Sequence, residues 1–395
     1  MEQNSSSLVG RVPKWFLAIF PLALLLALIA LFFLLNPLAF FTGSFPPLEQ
    51  LKIQRVLFPE SGRIQLSVIN GGPDSVTIAQ VLVDDAYWNY EITPANTLER
   101  LQQATIDLNY PWVDGEPLPI GLITSTGITF ETIAEVAVKS PQTSAATFIA
   151  YGLLGIYVGI IPVALGMLWY PFMRRIDRKW VNAFLALTIG LLVFLFVDTI
   201  LEALEIAGEL PGVFQGVPLV IFGTLFALGV LLTVSQRWGG GSPAAIATFI
   251  ALGIGLHNFG EGLAIGAAFA TGAAALGSFL VVGFTLHNIT EGIGIAAPLT
   301  KAERPPIRTF ILLALLAGAP AILGTWIGGF AFNPLLAVLF LSLGAGAILQ
   351  VIWEVGKLLT NDARKQNLPA VSWLNFAGIT AGILVMYLTA FLVKF

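Results

Sequence analysis

Cysteine is absent from the 395 residues, and only two residues are histidine. The missing thiols exclude disulfides and thiolate ligands, so any metal chemistry falls to nitrogen and oxygen donors. Charge is scarce too. Asp, Glu, Lys and Arg make up 11% of the chain, and 56% of it is hydrophobic, whereas a soluble globular chain is about 25% charged. That excludes an ordinary soluble domain and points to an integral membrane protein. The net charge of −4 carries little information, because topology decides where each sign is placed.

What is present comes in blocks. Residues 1–14 are polar and basic, with Arg11 and Lys14, and read as a cytoplasmic N-terminus. The apolar run over 15–41 exceeds the ~7–15-residue apolar core of a signal peptide and meets the ~20 residues needed to cross a bilayer. It reads as an uncleaved membrane anchor; the alternative is a signal peptide cut near Gly43 and Ser44. Residues 46–140 change character. Apolar and polar residues alternate over 63–69, 76–83, 104–108 and 128–138, with turn signals at Gly71, Pro73, Pro94, Gly115 and Gly127 between them. A period of two is that of half-buried strands. About seven short strands predict an extracytoplasmic all-β sandwich of immunoglobulin-like type, with no ligand identified for it. Its acids Asp84, Asp85, Asp107, Asp114 and Glu116 read as solvated surface.

From residue 144 to the end the chain is apolar again, in eight segments near 144–171, 181–205, 213–235, 243–270, 273–300, 307–330, 333–358 and 371–394. Short cytoplasmic loops carry an excess of Lys and Arg. With the N-terminus inside, the cytoplasmic segments receive Arg11, Lys14, Arg174, Arg175, Arg178, Lys179, Arg237, Lys301, Arg304, Arg308, Lys357, Arg364 and Lys365. The β segment takes Lys52, Arg55, Arg63, Arg100 and Lys139, and Lys394 lies at an outward C-terminus. The short outside loops near 206–212, 271–273 and 331–334 contain no basic residue. The expectation is an all-α polytopic core, nine spans in all, in a plasma (inner) membrane.

Inside this apolar background one phrase, His-Asn-x-x-Glu-Gly, occurs twice: His257, Asn258, Glu261, Gly262 and His287, Asn288, Glu291, Gly292. Both histidines of the protein are used. Residues three and four apart share a helix face, so each copy presents an imidazole, a carboxamide and a carboxylate together. These are ligand types for divalent transition metals. The topology puts both copies near mid-depth on antiparallel neighbours, where ionisable groups are costly and usually functional. A lone membrane His or Asn is more often an interhelical hydrogen-bond partner. Two matched sets with two carboxylates reverse that reading, since a cation between them removes the cost of burying both.

The paired phrase on the fourth and fifth of eight helices resembles the ZIP family of divalent metal transporters, especially its bacterial-type branch, over residues 144–395. The resemblance implies an eight-helix core in a 3+2+3 arrangement, the outer triplets being inverted repeats around the central pair. It implies metal ligation by His257, Asn258, Glu261, His287, Asn288 and Glu291. It also marks Asp198 and Glu202 late in the second helix and Glu354 in the seventh as pathway residues. Members of the family often form homodimers. The chain departs from the pattern in three places. Gly260 and Thr290 stand where the family usually has proline before each Glu. Ala319 precedes Pro320 where related members carry Glu, which weakens a second metal position. The loop over 237–243 has no histidine.

The physical reading of the extra acids is compatible. Asp198 and Glu202 share a helix face near the outer end, suited to drawing in cations, and Glu354 lies toward the inner end. Glu205 and Glu209 read as loop acids. The expected function is transport of a divalent transition metal toward the cytoplasm, zinc first, with iron, manganese, cobalt or cadmium compatible. It is not an enzyme in this reading, holds no prosthetic group, and meets metal ions and the lipid bilayer, not nucleic acid. Two alternatives belong to other classes: a membrane-embedded zinc hydrolase, and a non-transporting metal sensor or receptor.

Overall fold

The computed structural model describes residues 13–35, 47–134, 136–237, 242–271, 274–302, 304–365, 369 and 372–393. The chain divides into two compact units, Met1–Leu48 and Glu49–Phe395. The first contains helix α1 (Lys14–Leu35), which is apolar on all sides. The remainder of the expected anchor, 36–41, and the alternative cleavage position lie outside the described residues, as do Arg11, Lys394 and most of the 237–243 loop.

The second unit opens with nine strands, β1 (Leu51–Glu60), β2 (Arg63–Asn70), β3 (Val76–Val83), β4 (Ala86–Trp88), β5 (Tyr90–Thr93), β6 (Thr97–Leu98), β7 (Gln103–Asn109), β8 (Leu118–Thr124) and β9 (Thr129–Ala134). They form two antiparallel sheets, β1-β2-β7-β5 and β4-β3-β8-β9, with β6 paired to β3. Alternating residues of both sheets, among them Ile64, Leu66, Val68, Ile78, Val81, Ile106, Ile120 and Leu122, are buried against one another. This is the order of an immunoglobulin-type sandwich, whose first sheet runs A-B-E-D. The two strands beyond the expected seven are among the short ones, β4 to β6, too brief for an alternation to register. Asp84 and Asp85, both at positive φ (52° and 59°), make the tight turn between β3 and β4, a conformation that Asp tolerates better than most residues.

Helices follow: α2 (Ala145–Gly155), a π-helical turn (Ile156–Ile160), α3 (Ile161–Met167), α4 (Tyr170–Met173), α5 (Arg178–Gly208), α6 (Gly216–Arg237), α7 (Pro243–Ala270), α8 (Ala274–Leu299), α9 (Ile307–Gly318), α10 (Pro320–Ala331), α11 (Pro334–Lys365) and α12 (Trp373–Val393). Among the described residues seven helical stretches are long and apolar enough to cross a membrane. They are Ala145–Met173, Arg178–Gly208, Gly212–Arg237, Pro243–Ala270, Leu276–Leu299, Ile307–Ala331 and Pro334–Lys365; α1 and α12 have shorter apolar stretches, Ile19–Leu35 and Trp373–Leu388. The molecule is therefore a mostly helical membrane protein with a β-sheet region near its N-terminus.

Local chemistry sets the helix ends. The Ser144 hydroxyl accepts from Thr147 N and the Thr147 hydroxyl accepts from Ser144 N, a reciprocal cap, while Ser242 caps α7 ahead of Pro243. Two prolines interrupt the hydrogen-bond ladder of long helical stretches. Pro162 follows the π turn and Pro320 separates α9 from α10. A proline has no N–H to donate four residues back, and the side chains that serve the nearby carbonyls are those of the central helices, as described below.

The central pair is packed backbone to backbone. A Cβ on Gly262 of α7 would run into Ala321 O and stand 2.9 Å from Thr325 N of α10. A Cβ on Gly292 of α8 would run into Val163 O and stand 3.0 Å from Gly166 Cα of α3. Small residues give membrane helices this closeness. The polar phrases are thereby clamped from both sides, α7 against α10 and α8 against α3. The β region meets the helices at one end. Arg55 of β1 donates to Gly329 O of α10 at 3.1 Å, Lys52 pairs with Glu209 at 3.5 Å, and Gly71 lies against the Pro211 ring.

Candidate metal centre

The two phrases meet. His257, Asn258, Glu261, His287, Asn288 and Glu291 are all buried, on α7 and α8, and the two imidazole rings stand 6.1 Å apart. Glu261 sits between the histidines. Its Oε1 lies 3.1 Å from His257 Nε2 and also bonds His287 Nε2, while Oε2 accepts from Asn288 Nδ2 at 3.0 Å. An ionised carboxylate only accepts, so in this arrangement both Nε2 atoms carry protons. Nδ1 of His257 is hydrogen-bonded to the Thr199 hydroxyl of α5 at 3.0 Å.

Glu291 is the opposite case. Both its carboxylate oxygens are buried and have no hydrogen-bond partner, and the same holds for Oδ1 of Asn258 and of Asn288. A buried ionised carboxylate without donors is strongly unfavourable unless a cation joins it. His257, His287 and Glu291 each offer one ligand atom within 4.8 Å of the others, a spacing that fits a bound metal ion. Glu291 also borders a cavity of about 10 Å³, together with Thr188, Ile254, Gly294 and Met386, roughly the room of one water-sized sphere.

The carboxamides are divided between two tasks. Asn258 Nδ2 donates to Ala317 O at 3.0 Å, three residues before Pro320. Asn288 Nδ2 donates to Val158 O at 3.1 Å, the carbonyl four residues before Pro162. Each Asn thus ties its helix to a proline break in the neighbouring long helix, which leaves its Oδ1 turned to the interior. The six residues expected as ligands therefore divide. His257, His287 and Glu291 form the metal-sized cluster, Glu261 is held by its neighbours, and the two Asn oxygens stand unpaired.

Of the pathway residues, Asp198 and Glu202 line a cavity of about 380 Å³ with His257, Glu261 and His287. Glu205 lines it as well. Its reading as a loop acid is corrected: it lies inside α5, three residues after Glu202, on the same face. Glu209 lies just past that helix, exposed, and pairs with Lys52. Glu354 is not gathered into this cavity. It is buried, accepts from Ser235 of α6 at 2.9 Å and faces Lys357 at 3.6 Å, so its charge already has partners. One turn before it, Gln350 is fully buried with neither amide atom bonded.

The departures from the expected proline pattern have simple structural outcomes. α7 and α8 run unbroken through Gly260 and Thr290. The Thr290 hydroxyl donates to His287 O at 2.6 Å, and a Cβ on Gly260 would meet the Leu341 side chain. Ala319 is the residue joining α9 to α10 and supplies no ligand atom.

Thr199 and Gln350 were not marked as site residues by the sequence. Thr199 stands beside Asp198 in the same polar stretch of α5, and a hydroxyl so placed in an apolar helix was the available signal.

No family model matches the chain, and no curated protein matches it. Ten solved chains are similar. Among them is the archaellum periplasmic stator protein FlaG from Sulfolobus acidocaldarius, 16% identical, covering 22% of this chain and 99% of that chain, with a TM-score of 0.20. A likeness at that level carries no argument about fold or function.

Proposed function

We propose that the chain is a membrane transporter of ZIP type that moves a divalent transition metal, zinc first, toward the cytoplasm. The observation that carries this reading is the buried Glu291 carboxylate, with two unpartnered oxygens, clustered with two histidines whose ligand atoms lie within 4.8 Å of its own. The wide cavity supports it: Asp198, Glu202 and Glu205 line it from the α5 side, and it reaches His257, Glu261 and His287. In this reading the α5 acids draw the cation in from outside. His257, His287 and Glu291 replace part of its water, and the Asn oxygens offer further donors.

Glu261 holds both histidines in place until a cation competes for their nitrogens. The ligand set is borderline rather than soft, with imidazole suited to zinc and carboxylate to manganese or iron, so affinity order alone does not choose the metal. The topology reading of the basic residues supplies orientation. The helix ends and the connection that meet the β region, at Glu209, Pro211 and Gly329, lie in stretches without basic residues, which is what an exported β domain with the N-terminus inside requires. Net movement needs the bundle to open alternately to each side.

The test is metal uptake by proteoliposomes offered zinc, iron, manganese, cobalt and cadmium in turn. Wild-type protein accumulates at least one of them, and His257→Ala and Glu261→Ala lose uptake while remaining folded. Uptake unchanged in both variants would remove the site from the transport path, and no uptake of any metal would remove the transport reading.

A further inference from the structure

A groove on the outer surface of the helical region is built differently from the metal path. It holds about 400 Å³ between α3–α4 and α9, lined by Ile160, Ala164, Met167, Tyr170, Phe310 and Ile311 among others, and its walls are almost wholly apolar. Its origin is local. The helix that begins at Ala145 is broken after Met167 and restarts as the short α4, with Pro171 in its first turn. At that end the apolar groove becomes basic. The Arg174 guanidinium donates to the Tyr170 hydroxyl at 2.7 Å, the Tyr170 ring leans on Phe310 at 4.8 Å, and Arg308 follows Ile307, itself a groove residue. Arg174, Arg175, Arg304 and Arg308 are all exposed. Exposed Trp169 and Trp180 stand on either side of the α4 turn, the kind of residue that marks headgroup depth.

We infer that this groove is a binding site for one glycerophospholipid with an anionic headgroup, its acyl chain lying against Ala164 and Phe310 and its phosphate between Arg174 and Arg308. The inference rests on the membrane-spanning reading of these helices. The charge complementarity selects the occupant. A zwitterionic lipid fills the apolar part equally well but leaves the arginines facing no net charge, and a partner helix offers them none. Basic pockets between membrane helices on the cytoplasmic side have this preference in general. Tyr170 is a positioning residue: it holds the Arg174 head at the groove mouth.

The experiment is native mass spectrometry of the full chain, delipidated in detergent and titrated with dioleoyl phosphatidylglycerol or dioleoyl phosphatidylcholine, without added metal. Wild-type protein prefers phosphatidylglycerol by on the order of tenfold or more, since each basic residue near a headgroup contributes about 1 kcal/mol. The Arg174→Ala/Arg308→Ala double variant, changed only at exposed positions, loses that preference while still taking up both lipids. Ala164→Phe, which fills the groove, weakens both lipids alike. Equal binding of the two lipids by wild-type protein, or an undiminished preference in the double variant, overturns the assignment. So does a wild-type dimer that Ala164→Phe converts to monomer, which gives the groove to a second copy of the chain. Because no metal is present, failure of the transport reading leaves this result standing, and a transporter without lipid preference refutes this inference alone.

Discussion

At the scale of single residues, the site is a contrast between two glutamates that look identical in the sequence. Glu261 and Glu291 each follow a His-Asn pair at the same spacing. Glu261 accepts three hydrogen bonds, and Glu291 accepts none. An unpaired buried polar group costs about 1–3 kcal/mol, more when charged, so Glu291 destabilises the metal-free protein. Glu291→Gln removes the charge and keeps the shape. The expected outcome has two opposite signs. Without metal, the variant melts no lower than wild type, and by that estimate higher. With zinc at about a hundred times the wild-type Kd, wild type gains about 2.7 kcal/mol, and the variant loses most of that gain. Thermal melts with and without zinc check both. A variant that melts lower without metal and keeps the full zinc shift would make Glu291 a structural residue.

At the scale of elements, the helices were legible because two strong signals coincide: apolar runs of membrane length, and prolines or basic residues at their ends. The central pair was legible because its polar phrase repeats. What was not legible depends on contacts between helices. The spacing of four puts Glu261 beside His257, but no local pattern tells that Asn288 and His287, on another helix, occupy its oxygens while Glu291 receives none. Glu205 was missed for a related reason, since the run over 181–205 ends at that residue whereas α5 continues to Gly208. The short strands β4 to β6 were missed because two to four residues hold too few alternations. Packing at this scale yields a prediction. Gly262→Val on α7 drives a branched side chain into the α10 backbone at Ala321 and Thr325. Overpacking of this kind costs about 1–3 kcal/mol, and here the obstruction is main chain that cannot rotate away. Gly229→Ala on α6 is the matched control, because nothing lies within 4 Å of the added carbon. The first variant melts lower than wild type and the second does not. Equal melting temperatures for the two would mean that α7 and α10 separate freely.

At the scale of the whole molecule, the absence that opened the sequence becomes a tool. A chain with no cysteine can carry a single introduced thiol with no background. Asp85 sits in the exposed β3–β4 turn, and Lys179 is exposed at the start of α5. In the proposed orientation, read from the basic residues, the first lies outside the membrane and the second inside. In intact cells a membrane-impermeant maleimide should label Asp85→Cys at once and Lys179→Cys only after permeabilisation. The reverse pattern inverts the proposed orientation, and with it the proposed direction of transport, because the Asp198, Glu202 and Glu205 side of the cavity would then face the cytoplasm. The test also bears on the β region. Its contacts at Arg55, Lys52 and Gly71 reach the ends of α10 and of the α5–α6 connection, so the labelled face of Asp85 fixes the face on which those ends lie. Orientation, cavity mouth and β region are linked by the fold, and one accessible thiol decides all three.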